Sequence, residues 1–165
     1  AIAFDNGCFT ANWNKDQWIL WLRHMVPWKE NLLFTVAPDV VGDAPATLNL
    51  AEKWLPYLNH IGYAPAFVGQ DGQESLDLPW EQFDTLFIGG STKWKLSDAA
   101  YDLAQEARMR GKRTHMGRVN SRKRFNAAKI AQYDSVDGTY IRFGPDINAL
   151  NIHDWVNDPQ ATMPF

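Results

Sequence analysis

The sequence predicts an α/β fold built on a parallel sheet, and two observations carry that prediction. Short apolar runs of β type alternate with longer amphipathic stretches, which is the pattern of βαβ units. Capping residues and glycine turns mark the joints between them. A third observation bounds the size. The chain has 165 residues, 45% of them hydrophobic, and a chain of that length buries roughly 70% of its unfolded surface. Residues 1–165 are therefore read as one domain.

Six strands are expected: Ala1 to Phe4, Leu32 to Ala37, Ala64 to Val68, Thr85 to Ile88, Arg113 to Met116 and Ser135 to Phe143, the last being the least regular. The first helix runs from about Asn14 to Val26, with Asn14 as cap and Gln17 at the third helical position, and Trp18, Leu22 and Met25 share one face. A second follows Asp43 as N-cap, tolerates Pro45 in its first turn and carries Leu48, Leu50, Ala51, Leu55 and Leu58 toward Gly62. The third begins at Ser97 and ends at Gly111, which suits the left-handed position after a helix end. The fourth spans about Ser121 to Tyr133, capped by Asn120 or Ser121. Between Val68 and Thr85 the turn-rich segment predicts a short helix or an irregular loop. Six βα units fit either an open doubly wound sheet or most of an eightfold barrel, and periodicity does not decide between them.

Composition narrows the function classes. A net charge of −3 provides no global attraction to phosphate backbones, so nucleic-acid contact has to come from a local basic patch. One cysteine, Cys8, cannot form an internal disulfide, and no Cys/His cluster has zinc spacing; the reading is a reduced, cytoplasmic chain without metal or cofactor. No apolar run is long enough to span a bilayer and no signal peptide is recognisable, so no membrane partner is expected. The chain opens within an apolar strand and lacks an initiator Met, from which missing upstream residues are expected. The eight Trp, among them Trp18, Trp21, Trp54 and Trp155, fall mostly at helical spacing and read as core.

Parallel α/β folds place their sites at the carboxyl ends of the strands. There the sequence has Asp5-Asn6-Gly7, Pro38-Asp39, Gly69-Gln70-Asp71-Gly72, Gly89-Gly90-Ser91-Thr92, Gly117-Arg118-Val119-Asn120-Ser121 and Asp137-Gly138-Thr139. Carboxylates, an amide and a diglycine on one rim suit a polar ring, because carboxylates accept from N–H groups and an amide both donates and accepts. Each has a local reading too. Asp5-Asn6-Gly7 makes a turn, Asp43 caps a helix, Gly89-Gly90 makes a tight bend outside any phosphate-loop pattern, and Asp137-Gly138 is a common hairpin pair. His24, His60 and His153 read as surface or satisfied core residues, and His115 as packed.

From Arg108 to Arg124 eight cations stand without an acid. Arg108 and Arg110 suit the last turn of a helix. Arg118, Arg122 and Lys123 instead follow a strand end and open a helix, where the dipole and free N–H groups favour an anion such as phosphate. Asn120 lies among them, and Lys93 and Lys95, flanking Trp94, extend the same basic edge.

In order, these rim motifs resemble those of the tRNA-guanine transglycosylase superfamily, whose fold is an eight-stranded (β/α) TIM-like barrel. The resemblance covers nearly the whole chain. Asp5 in Asp5-Asn6-Gly7-Cys8-Phe9 resembles the aspartate beside the scissile glycosidic bond. Asp39 resembles the aspartate that binds a guanine-type base, Gln70 the glutamine that reads it, and Gly89-Gly90 the glycines lining its pocket. Asp137, in Tyr133-Asp134-Ser135-Val136-Asp137, resembles the nucleophile. The resemblance implies a TIM-like barrel that starts two strands late. It also implies base exchange at C1′ of a guanine-type nucleotide through an Asp137-linked glycosyl intermediate, with Asp5 as general acid/base.

Two departures matter. The Cys/Cys/Cys/His zinc insertion of the tRNA enzymes is absent, and Gly138-Thr139-Tyr140-Ile141-Arg142 stands where Pro-Thr-Arg normally follows the nucleophile. Pro38-Asp39-Val40-Val41-Gly42-Asp43, Phe87-Ile88-Gly89-Gly90-Ser91-Thr92 and Gly117-Arg118-Val119-Asn120-Ser121 are similar to the compact phage and bacterial branch that handles 7-deazaguanine-type bases in DNA. DNA is accordingly favoured over tRNA as partner, alongside the base itself and, for a phage-encoded chain, in the host cytoplasm. Competing expectations are an N-glycosidase or nucleoside-processing enzyme on the same scaffold, and an inactive binding or accessory subunit. A homo-oligomer or a partner subunit fits either.

Overall fold

The computed structural model describes residues 2–8 and 13–159. Ala1 of the expected first strand and Phe9 of the motif after it lie outside the described residues. Six strands form one sheet: β1 (Ile2–Phe4), β2 (Leu32–Val36), β3 (Pro65–Gly69), β4 (Thr85–Ile88), β5 (Arg113–Met116) and β6 (Ser135–Val136). Their spatial order is their chain order, and every neighbouring pair is parallel. A doubly wound sheet reverses its order at a switch point. This sheet does not, so the crossovers all progress in one direction.

The sheet is curled into a half-barrel whose β1 and β6 edges do not pair with each other. On a flat sheet, strands three apart are separated by about 14 Å at roughly 4.8 Å per strand. Here the Phe34 ring of β2 lies 5.1 Å from the His115 ring of β5. At the strand starts the Arg113 guanidinium of β5 also donates to the Leu33 carbonyl of β2, 3.1 Å away. Both contacts need a concave inner face.

Alternation along the strands feeds two layers. Phe34, Val36, Ala66 and Val68 form the inner cluster, with Phe87 packed against it. The larger core lies outside, where Phe67, Leu86 and Ile88 meet Trp18 and Leu22 of α1 (Lys15–Met25), Ala51, Trp54, Leu55 and Leu58 of α2 (Ala44–His60) and, after the one-turn helix α3 (Thr92–Lys95), Leu103 and Ala107 of α4 (Asp98–Met109). Asn14, Asp43 and Ser97 cap α1, α2 and α4 as the sequence predicts, each side chain accepting from the backbone N–H three residues on. Gly111 has the expected left-handed φ of 72°. Ser121 caps α5 (Arg122–Ile130). Residues 70–84 hold two short 3₁₀ turns, Gln73–Ser75 and Trp80–Gln82. Among the described residues no helix is long and apolar enough to cross a membrane.

Two expectations are corrected, and one element is added. The last strand does not run to Phe143; it stops at Val136, and Tyr140–Phe143 form a 3₁₀ helix. Asn120 ends the ladder by accepting from the Thr139 N–H at 2.7 Å, while Gly138 lies so close to the Val119 carbonyl that a Cβ there would meet its oxygen at 2.7 Å. A further helix, α6 (Pro145–Asn157), follows with Pro145 in its first turn, where the missing N–H costs nothing. Trp21 is not core. It is 51% exposed, at the flank of the Trp18–Leu22 stripe, whereas Trp54 and Trp155 are buried as expected.

Candidate active site at the strand ends

A cavity of about 450 Å³ opens at the carboxyl ends of the strands, and all six strand ends contribute to it: Asp5 and Asn6, Asp39, Gln70, Gly89, Arg118 and Asn120, and Asp137. Val36, Val68 and Phe87 supply its apolar wall.

One side of the cavity is built around Asp39. Its Oδ1 accepts from Asn6 Nδ2 at 2.8 Å and its Oδ2 from Gln70 Nε2 at 2.8 Å. Asn6 is itself buried, donates to the Ala37 carbonyl and accepts from the Cys8 N–H, both at 2.6 Å. The turn reading of Asp5-Asn6-Gly7 therefore holds together with a place in the cavity: Asp5 Oδ1 accepts from the Gly7 N–H at 3.3 Å, and Asp5 stays exposed. Burial raises the proton affinity of Asp39 above its ordinary value; the Asn6 hydrogen bond opposes this, the nearby Asp5 charge adds to it, and Arg118 and Gln70 oppose it, leaving a net rise. Burial also pushes the Cys8 thiol up to about 11, with Asp39 and Asp5 adding to the rise through their charge, so Cys8 is held as a thiol rather than a reactive thiolate.

Gln70 lines the cavity, but its amide is largely engaged. Its Oε1 accepts from the Gly42 N–H at 2.9 Å and the Gly90 N–H at 3.0 Å, which leaves one Nε2 hydrogen for a ligand. The diglycine is similar. Gly90 N–H goes to Gln70 and Gly89 N–H to the Gly69 carbonyl. Gly89 has to be glycine for a packing reason, since a Cβ would stand 2.6 Å from Val68 Cγ1 and 2.9 Å from Gln70 Nε2. The Gly89 and Gly90 carbonyls accept from the Arg118 guanidinium at 3.2 and 2.5 Å. Arg118, which the sequence reading placed on the basic edge, thus lines the cavity.

Across the cavity stands Asp137, its side chain 52% exposed. Asp137 Oδ1 accepts from His115 Nε2 at 3.0 Å and from the Arg118 N–H at 3.2 Å. Partial burial raises its proton affinity, but the His115 hydrogen bond and charge, the Arg118 N–H and the Lys95 charge outweigh that and hold the carboxyl below its ordinary range. His115 is packed as the sequence predicts, its ring 5.1 Å from Phe34 and 4.6 Å from Phe87. The same ring orients Asp137, a role the sequence reading missed. Its Nδ1 lies 2.8 Å from Ser135 Oγ, which fixes the ring plane. One signal was present: alternation puts His115 on the face opposite Thr114 and Met116, toward the inner layer. Asp134, three residues before Asp137, accepts from the Thr114 N–H and hydroxyl at 2.7 and 3.1 Å and closes the turn before β6.

The basic edge is thinner than its sequence. Arg122 pairs with Asp158, Lys93 is exposed, and Asn120 is tied to the Thr139 hydroxyl at 3.3 Å. Lys95 does not extend the edge. It is 3% exposed because α3 turns it inward to the Gly117 carbonyl. Among the described residues no group of three or more His, Cys, Asp or Glu is placed to hold a metal ion. Comparison of the chain with protein-family models, with curated proteins and with solved structures finds no match.

Proposed function

We propose that this chain is a base-exchange transglycosylase on a partial TIM-like barrel, acting at C1′ of a guanine-type nucleotide in DNA in preference to tRNA. The observation that carries the reading is the pairing, across one cavity, of an ionised, oriented Asp137 with a buried, donor-braced Asp39. Asp137 Oδ1 is held by two donors. Oδ2 is the oxygen that attacks C1′. The C1′–O bond forms as the C1′–N bond breaks, the electron pair leaves with the base, and Asp5 moves the proton between base and site. A nitrogen of the incoming 7-deazaguanine-type base then displaces Asp137 by the reverse path.

Asp39 recognises the ring. Each of its oxygens already accepts one hydrogen bond and retains a lone pair, so together they accept from the N1–H and 2-amino groups of a guanine-type edge. The remaining Gln70 Nε2 hydrogen and Arg118 supply donors for the ring carbonyl. The buried acceptors penalise a ring with the wrong edge, because a mismatch leaves them unpaired.

The test is intact mass after incubation of the chain with a guanine-containing DNA or tRNA oligonucleotide and a 7-deazaguanine. Incorporation of the free base, with a protein–oligonucleotide adduct that Asp137→Asn abolishes, is the expected result. No exchange and no adduct with either polymer would refute it. The half-exposure of Asp137 favours one second reading, in which water resolves the intermediate and the chain acts as an N-glycosidase. Loss of base without incorporation of the new one would select it.

A further inference from the structure

Lys95 is a buried cationic side chain that the proposed chemistry does not use. It lies on α3, behind the cavity wall, 3% exposed, and its Nζ donates to the Gly117 carbonyl at 2.5 Å. That carbonyl shares a peptide group with the Arg118 N–H, which donates to Asp137 Oδ1 at 3.2 Å. One planar amide is therefore gripped at its oxygen by a lysine and at its hydrogen by a carboxylate.

The surroundings leave this peptide little freedom. The Gly117 N–H donates to the Ile88 carbonyl at 3.1 Å. A Cβ on Gly117 would meet the Phe87 ring at 2.5 Å and Asp137 Oδ1 at 3.3 Å, so only glycine permits the approach. Arg118 has a φ of 57°, the left-handed region that non-glycine residues rarely occupy. Arg124 donates to the Arg118 carbonyl at 2.6 Å, and the Arg118 guanidinium is anchored on Gly89 and Gly90. Such a backbone persists when its surroundings over-determine it, and these conformations concentrate at functional sites.

We propose that Lys95 is a positioning residue for Asp137, acting through the Gly117–Arg118 peptide: it fixes the peptide plane and, while cationic, polarises the N–H toward the carboxylate. Hydrogen-bonded groups in series strengthen one another in this way. The relevance to catalysis rests on the proposed role of Asp137, whereas the clamp stands on geometry alone. Burial and the Arg118 charge lower the Lys95 proton affinity to about 7, Asp137 opposes the shift, Arg124 adds to it and Asp71 opposes it. The grip is thus stronger on the acid side of neutrality and weaker above it. The other titratable group bonded to Asp137 is His115, whose Nε2 meets the same Oδ1 as the Arg118 N–H.

The test is an NMR titration of the full chain, following the Arg118 amide, the Asp137 carboxyl carbon, the Lys95 side-chain amine and the His115 ring carbons. Expected is an Arg118 amide step near pH 7 that coincides with the Lys95 amine, separate from the acid step of Asp137. In Lys95→Met, which keeps the bulk and removes the donor, that neutral step should vanish and the Asp137 midpoint should move up toward its ordinary 3.8. An Arg118 step that follows the His115 ring and survives in Lys95→Met, or an unmoved Asp137 midpoint, overturns the proposal. If Lys95→Met does not fold, the wild-type titration decides: no neutral step at Arg118 while the Lys95 amine titrates overturns it equally. A clamp seen in a chain that exchanges no base would uphold this inference and remove the functional one.

Discussion

Asp39 and Asp137 face the same cavity, yet their surroundings pull their proton affinities apart. Burial lifts Asp39 above its ordinary 3.8, while His115 and its partners hold Asp137 below it. As pH falls, Asp39 takes its proton first. A protonated Asp39 no longer offers two acceptors to a guanine-type edge, so kcat/KM for exchange should fall with an acid midpoint above 3.8 while Asp137 is still ionised. A pH–rate profile checks this, and an acid limb below 3.8 would contradict it. The same shifts act oppositely on folding. The raised Asp39 contributes stability that is present below its unfolded value and lost as pH rises through the folded one; the depressed Asp137 contributes stability present above its unfolded value and lost as pH falls through the folded one. Asp137→Asn keeps the shape and removes the nucleophilic charge, so single-turnover exchange should drop by several orders of magnitude with little change in melting temperature. Asp134→Asn should do the reverse. It weakens the acceptor for the Thr114 N–H and hydroxyl and should cost about 1–3 kcal/mol in denaturant unfolding, with exchange within about tenfold of the parent.

Among the elements, the β4–α3 turn carries the tightest constraint on the site. A Cβ on Gly89 would collide with Val68 and with the Gln70 amide that braces Asp39. Gly89→Ala should therefore destabilise by about 1–3 kcal/mol and also weaken binding of a free guanine-type base, measured together by denaturation and isothermal titration. A loss of stability with unchanged base affinity would mean that Gln70 does not transmit the strain to Asp39. The N-cap of α4 provides a contrast. Ser97 accepts from the Ala100 N–H at 3.4 Å, away from the cavity, and Ser97→Ala should cost roughly 1 kcal/mol or less without touching affinity.

For the molecule as a whole, the proposed binding of a polymer needs a local basic edge, because the net charge of −3 repels a phosphate backbone overall, and the α5 side of the rim offers one. Arg122 is 60% exposed at the side chain and shares its charge with Asp158, and Lys123 is exposed beside it. Replacing both by Ala should lower oligonucleotide affinity at low salt and reduce the slope of log K against log salt by about one to two contacts. Free-base affinity should be unchanged. An identical salt slope in the double variant would return both residues to the solvated surface.

The strands, caps and rim residues were legible in the sequence because they depend on near neighbours. Apolar alternation marks a strand, Asn14, Asp43 and Ser97 announce the helix starts, and a parallel sheet puts whatever follows a strand at the carboxyl rim, however the sheet closes. Asp5, Asp39, Gln70, Arg118 and Asp137 were placed at one rim on that ground, and one cavity contains them. Other features depend on partners distant in sequence. The early end of β6 depends on Asn120, the bond from His115 on Asp137, and the two bonds that engage Gln70 on Gly42 and Gly90. The inward turn of Lys95 depends on the Gly117 carbonyl, and the single direction of winding on which strand pairs with which. No local pattern encodes these pairings, because the curl that brings β2 within ring contact of β5 arises only when the whole sheet has assembled.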